Sequence, residues 1–337
     1  MQSEELFGGK CILFGGDFRQ ILPVVRNGNR VKICEESVKF SHIWPQIEQL
    51  ELSTNMRANE DKEFSEWLLQ LGNGTLPIKT EVSSEAIEIP LHCLENTDIL
   101  SAIFDKRIEE GNADIYYNRA ILCPKNEDCL KINEKIVSQL IDGETRTYYS
   151  VDSVEIDEQE KDSQLYPTEF LNSLNPSGLP PHKLILKKGA IVILVRNLNV
   201  KIGLVNGTRM VIKRMHTNLI EAQVITGEAK MKSVIIPRII LRPSDHTMPF
   251  SLKRRQFPIK VAFAMTINKS QGQTFDKIGI YLPSPVFTHG QLYVAFSRVR
   301  TFQNVKIQVM DTKTQGRQNN CGKVYTSNIV YKEVLRK

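Results

Sequence analysis

Phe263-Ala264-Met265-Thr266-Ile267-Asn268-Lys269-Ser270-Gln271-Gly272-Gln273-Thr274-Phe275 is the stretch on which the reading of this 337-residue chain turns. An apolar run gives way to hydroxyls, amides, one Lys and one bare Gly. That mixture on a loop suits phosphate, whether of a nucleotide or of a nucleic-acid backbone. A second block follows, His289-Gly290-Gln291-Leu292-Tyr293-Val294-Ala295-Phe296-Ser297-Arg298-Val299-Arg300, an amphipathic helical pattern with a basic end. Between the two lies Ile278-Gly279-Ile280-Tyr281-Leu282, which reads as a buried strand ended by Pro283. Each half alone is compatible with a solvated loop or an ordinary surface helix. The two together, at this spacing, point to a site.

Working outward, the length exceeds what one core usually organises, so two or three domains are expected. Hydrophobic residues make up 41% and the formal charge is +6. This mild basic excess is compatible with nucleic acid without proving it. The six cysteines include no C-x-x-C pair, and no His/Cys spacing suits zinc, so no metal ligands are assigned. The cysteine pattern fits a reducing compartment, nucleus or cytosol, with Cys11 read as core. No segment reaches the ~18–20 apolar residues of a membrane span, and the N-terminus lacks a signal peptide's features. Lys253-Arg254-Arg255 reads as a basic turn: a weak nuclear signal, a nucleic-acid contact or a solvated turn.

Near the N-terminus, Lys10-Cys11-Ile12-Leu13-Phe14 reads as a buried strand running into Gly15-Gly16-Asp17-Phe18-Arg19-Gln20. Two glycines permit a sharp turn and a close ligand, and Asp17 and Gln20 would project from the carboxyl edge of a sheet. No earlier strand precedes it. It is either an edge strand or the end of a domain whose front half lies outside the chain. Residues 31–52 read as a short helix and a strand at Leu50-Glu51-Leu52. A helix follows, with Phe64, Trp67, Leu68 and Leu71 on one face, stopped by Gly72-Asn73-Gly74. Ile121–Pro124 reads as a strand end, and a helix is expected over 127–140, with Leu130, Ile132, Ile136, Val137 and Leu140 on its apolar face. This alternation indicates a parallel α/β sheet.

Past residue 145 the rhythm changes. Residues 152–162 are acidic and loop-like, and the Pro-rich stretch 173–182 is a rigid connection. Short strands follow at 184–186, 190–195, 209–212, 219–225 and 234–236, with Asn206-Gly207 and Gly227 as turns. That spacing suggests a small bent β-barrel inserted between two α/β pieces. Residues after about Met310 read as polar and loosely ordered.

These residues carry a family resemblance. Gly15–Gln20 resembles motif III of superfamily 1 helicases, Thr54-Asn55-Met56-Arg57 motif IV, Thr266–Thr274 motif V and Gln291–Arg298 motif VI. Order and spacing resemble the Pif1-like helicases, most of all those of Helitron transposons. The match extends through Glu66–Leu69, Ile121–Asn126, Tyr166–Asn172 and Gly207–Arg209, from about residue 8 to 310. The resemblance implies an α/β P-loop NTPase (RecA-like) fold. A remnant of a first RecA-like domain would occupy 1–47 and a second 48–144 and 257–315. An SH3-like barrel would be inserted at 145–256, with a tail at 316–337. It implies ATP and Mg²⁺ as cofactors, single-stranded DNA as partner, and 5′ to 3′ unwinding.

By the same resemblance, Gln20 would sense the γ-phosphate. Arg57 and Arg298 would reach it across a domain cleft, where a planar, permanently charged guanidinium suits the transferring phosphoryl group. Gly272 would let backbone approach phosphate, with Thr274 near the nucleotide. Thr266, Asn268 and Lys269 would face DNA. Asn268 stands where many relatives carry His, so no charged imidazole acts there. Phe18 would either stack on a base or pack beneath its loop. The sequence contains no G-x-x-x-x-G-K-[ST] and no Walker B Asp-Glu pair. Gly316–Val324 is a decoy with one residue too many. The expectation is a chain beginning just after Walker B and deficient alone in ATP hydrolysis. The alternatives are a non-catalytic single-strand-binding module, and a scaffold completed in trans by a first RecA-like domain.

Overall fold

The computed structural model describes residues 6–52, 54–58, 60–105, 113–139, 141–155, 166–176, 178–227, 229–243, 248–317 and 322–336. They divide into two compact units: Met1–Ile89 with Pro285–Ser297 and Asp311–Lys337, and Pro90–Ser284 with Arg298–Met310.

The first unit is built from short helices and a small antiparallel sheet. Asn29 caps the helix Arg30–Glu35 by accepting from the Lys32 amide at 2.9 Å. Helix Lys62–Asn73 starts at Asp61, whose carboxylate accepts from the Phe64 amide, and stops at left-handed Gly74. Phe64, Leu68 and Leu71 form its buried face, as their spacing predicts, while Trp67 is half-buried with its edge toward the Phe296 ring at 4.8 Å. Ala86–Glu88 and Gly316–Arg317 flank Val324–Ser327 in an antiparallel sheet. Helix Lys332–Leu335 then sends Val334 into a small core with Leu22 and Cys34.

Three expectations are corrected here. Lys10–Phe14 is not a strand: Cys11 is exposed, and Leu13 is 89% exposed. No strand pairs with it among the described residues, and an apolar run becomes a buried strand only where neighbours satisfy its backbone. Leu50–Leu52 likewise forms no strand and is exposed, with Leu52 at 97%. The C-terminal residues are not loose. Val324, Tyr325 and Thr326 are buried in the sheet, so 324–335 is structured although its polarity reads as a tail.

The second unit contains the expected parallel sheet, four strands in the order Ala264–Thr266, Arg119–Cys123, Lys277–Leu282, Val305–Val309. Ile121, Leu122, Ile278, Ile280 and Ile307 have no exposed surface, the signature of strands covered on both faces. Helix Asn126–Gln139 presents Ile132, Ile136 and Val137 to this core. Of the other residues expected on that face, Leu130 is instead 38% exposed, and Leu140 lies outside the described residues.

In sequence, the antiparallel strands from Thr145 to Val261 fall between two neighbours of the parallel sheet, Arg119–Cys123 and Ala264–Thr266. They form a five-stranded sheet (259–261, 191–194, 209–215, 219–224, 233–237), a three-stranded sheet (239–241, 251–256, 151–155) and the pair Thr145–Tyr149 with Lys183–Lys187. The acidic loop expected over 152–162 begins instead as strand Val151–Glu155, and the rest lies outside the described residues.

The basic turn is also corrected: Lys253-Arg254-Arg255 lies within strand Ser251–Gln256. Arg254 is fully buried, forks onto the Asp152 carboxylate at 2.6–3.1 Å and donates to the carbonyls of Leu171, Leu174 and Pro180. It thereby pins the Pro-rich connection. A buried charge is tolerated here because both partners have their hydrogen bonds met.

Arg209 is buried with no carboxylate partner among the described residues. Its guanidinium donates to the carbonyls of Tyr117, Arg119 and Ala262 and lies 5.4 Å from the Phe275 ring centre. Burial lowers its pKa to about 10. Among the described residues no helix is long and apolar enough to cross a membrane.

Candidate functional site

In the second unit, the edge strand Ala264–Thr266 empties into a one-turn helix, Ile267–Ser270, and then into the glycine loop. Phe263 bonds inward to the sheet, its carbonyl accepting from the Ile121 N–H at 2.9 Å, while both backbone groups of Ala264 face outward. On that outer side, Asn133 of the helix Asn126–Gln139 stands in for a further strand. Its amide donates to the Ala264 carbonyl and its carbonyl accepts from the Ala264 N–H, both at 2.8 Å.

Thr266 is buried at the strand end, Asn268 is half-buried, and Lys269 and Thr274 are exposed. Gly272 has φ +82° and open space around the position a Cβ would take, so its backbone is free to meet an anion. Arg298, 2% exposed, braces the loop from below, its Nη1 donating to the carbonyls of Ser270 and Gln273 at 3.3 and 3.2 Å. Its own carbonyl accepts from the Phe275 N–H at 2.9 Å. Arg300 is exposed. Half-buried Lys260 is held at a pKa of about 8, first by burial and then by Lys269 and Arg254.

In the first unit, the loop Asp17–Gln20 is seated on helix Gln291–Phe296. The Tyr293 hydroxyl donates to the Asp17 carboxylate at 2.9 Å, and the His289 Nε2 meets the Phe18 carbonyl at 2.8 Å. Gly290, at φ +68°, lies so close beneath the loop that a Cβ there would sit 2.3 Å from the Arg19 carbonyl oxygen. Gln20 is half-buried, and its N–H closes the turn on the Asp17 carbonyl. At the far end of the same helix, Arg57 donates from Nη1 to the Ser297 carbonyl at 2.7 Å.

Phe18 packs edge-on against Trp44 with ring centres 5.5 Å apart, beside the core of Leu22, Cys34 and Val334. One short helix thus carries both Gln20's loop and Arg57, while Arg298 and the Thr266–Thr274 loop form a separate set in the second unit.

The decoy Gly316–Val324 starts and ends in paired strands and otherwise lies partly outside the described residues. Among the described residues no cluster of three His, Cys, Asp or Glu side chains is placed to hold a metal. Sequence reasoning missed Asn133, His289, Gly290 and Tyr293 as positioning groups. The last three lie within the quoted second block, but nothing local marks what they touch.

A model of the PIF1-like helicase family matches residues 1–82, and one of the DNA helicase Pif1 2B domain matches 169–215. The chain is 30% identical over 314 residues to the ATP-dependent DNA helicase PIF1 of Xenopus laevis, covering 92% of this chain and 42% of that protein. It is 28% identical to the human PIF1 helicase over similar shares of both. The chain therefore spans less than half the length of these relatives.

Among solved structures, Bacteroides Pif1 bound to single-stranded DNA matches with TM-score 0.63 and 23% identity, over 92% of this chain and 65% of that one. Bacteroides Pif1 with ADP-AlF3 and single-stranded DNA matches with TM-score 0.59 and 24% identity, over 93% and 65%. These likenesses show the RecA-like P-loop fold.

Proposed function

We propose that this chain, which is similar to Pif1-like helicases over 92% of its length, works as part of an ATP-dependent DNA helicase moving 5′ to 3′ along single-stranded DNA. In this reading residues 1–47 belong to a first RecA-like domain and 48–144 with 257–315 to a second. Residues 145–256 form an SH3-like barrel inserted in the second, and 316–337 form a C-terminal extension. Gln20 senses nucleotide, Arg57 and Arg298 stabilise phosphoryl charge, and Gly272 and Thr274 meet phosphate. Thr266, Asn268 and Lys269 contact the DNA backbone. ATP would arrive with its Mg²⁺, and the activity would belong in the nucleus or cytosol.

The observation that carries this reading is the strand Ala264–Thr266 emptying into an open glycine loop braced by buried Arg298. Strand ends of this kind are where open α/β sheets take their ligands. Backbone amides around an unhindered glycine suit an anion better than a side chain would.

The 337 residues contain no G-x-x-x-x-G-K-[ST], and phosphate-facing arginines have little to act on without such a loop. A polypeptide of these residues alone should therefore bind single-stranded DNA, more weakly as salt rises, with little ATP turnover. Measuring turnover with Mg²⁺ and an oligothymidylate tests this. DNA-stimulated hydrolysis at ordinary helicase rates would overturn the deficiency. Salt-dependent binding with turnover that no added P-loop domain restores would favour the single-strand-binding module. Turnover restored by adding a first RecA-like domain carrying the P-loop would favour completion in trans. In any hydrolysing assembly, Arg298→Ala should lower turnover by roughly 10³-fold.

A further inference from the structure

His289 sits between two bonds that leave it one protonation state. The Phe18 carbonyl only accepts, so Nε2 carries a hydrogen. The Tyr331 backbone N–H only donates, at 2.8 Å, so Nδ1 is bare. The ring has no exposed surface and lies stacked on Tyr331, with centres 5.3 Å apart. It therefore ties the loop before it in sequence, through Phe18, to the C-terminal segment.

We propose that neutral His289 is the positioning residue of the Asp17–Gln20 loop, and that its protonation unseats that loop from the helix Gln291–Phe296. The inference deepens the proposed function, since it matters to activity through Gln20, but the geometry it describes holds whether or not the chain turns over ATP.

An imidazolium would place an N–H against the Tyr331 N–H, two donors facing each other in a dry site. The nearby charges do not favour that cation outright. Arg30, from the helix Arg30–Glu35, opposes it, whereas Asp17 of the loop and Glu333 of the C-terminal helix favour it. Glu333 is already engaged by Arg30 through two hydrogen bonds at 2.8 and 3.1 Å, and Asp17 by the Tyr293 hydroxyl and the Arg19 amide. Burial prevails and holds the imidazole below the usual histidine range. Gly290 makes the seat unforgiving: with the Arg19 and Gln20 backbone directly above it, a displaced Phe18 carbonyl carries Gln20 with it.

Trp44, whose ring meets Phe18, reports on the seat. In the full chain carrying Trp67→Phe and His42→Gln, leaving one tryptophan and no histidine beside it, its emission is followed from pH 8 to pH 5. A single step should develop as pH falls below about 6.5. His289→Gln keeps a donor for the Phe18 carbonyl and does not titrate. It should retain the neutral-pH emission and lose the step. His289→Phe should show the acid-state emission already at neutral pH. An acid step of undiminished size in His289→Gln would overturn the proposal, as would an unchanged neutral emission in a folded His289→Phe chain. If His289→Phe does not fold, His289→Gln decides. Single-strand binding by the same proteins tests the proposed function separately, and its loss alongside an intact step would leave this inference standing.

Discussion

The loops Asp17–Gln20 and Thr266–Thr274 follow the same local script, an apolar run leading into polar residues and glycine, yet they are held differently. The second grows from a strand of a parallel sheet, and its position comes from a backbone ladder continued outward by Asn133. The first has no strand beneath it among the described residues. It is gripped by side chains instead: His289, Tyr293 and Arg19, whose Nε donates to the side-chain Oδ1 of Asn73 at 2.7 Å. A ladder spreads its load over many equivalent bonds, whereas a grip concentrates it in a few atoms. The first loop should accordingly yield to changes that leave the fold intact, and the second only to changes that disturb the sheet edge.

The largest effect is expected from Asn133→Leu. It orphans the outer N–H and carbonyl of Ala264, each a loss of about 1–3 kcal/mol when buried. Urea unfolding should show a loss of about 3 kcal/mol, and a neutral result would mean that Asn133 is no surrogate strand. Gly290→Ala comes next, at about 2 kcal/mol, because it adds a Cβ in the left-handed region and against the Arg19 carbonyl. Equal stability of that variant would show that the loop is not seated over residue 290.

Acid should act on the first loop alone. The folded-state pKa of His289 lies below the unfolded 6.5, so its contribution is complete above 6.5. It is lost as pH falls from there toward the folded value, by at most about 1.4 kcal/mol per pH unit. The difference between parent and His289→Gln melting curves at pH 7 and pH 5 measures it. Tyr293→Phe is the mildest change, about 1 kcal/mol for one hydrogen bond to a carboxylate with its neighbours kept. A much larger loss would mean that the Tyr293 hydroxyl holds more than the Asp17 turn.

Much of this was legible in order along the chain. Helix Lys62–Asn73, with its Asp cap and Gly stop, the strand over Ile121–Cys123 and the close-spaced strands from Lys183 to Pro237 all follow from periodicity and turn residues. The helicase resemblance was equally legible, because its motifs are short, contiguous and consistently spaced. The failures share one cause. Lys10–Phe14 and Leu50–Leu52 carry strand-like patterns, but a strand is a property of a pair. Arg254 looked like surface charge beside Lys253 and Arg255, because its partner Asp152 lies on another strand. Arg209 stood in a segment flagged by resemblance, but its three carbonyl partners come from scattered backbone that no pattern predicts.

The sequence by itself determined the α/β alternation, the run of short strands inserted within it, and the polar loop around Gly272 with Arg298 downstream. These depend on side-chain period, turn chemistry and contiguous motif order, all of which are local. Only the tertiary structure decided that Arg298 braces the loop from below, that Asn133 completes a sheet edge, and that His289 is locked in one neutral tautomer between Phe18 and Tyr331. Those outcomes rest on donors and acceptors far apart in the chain, brought within 3.3 Å of each other only when the core closes.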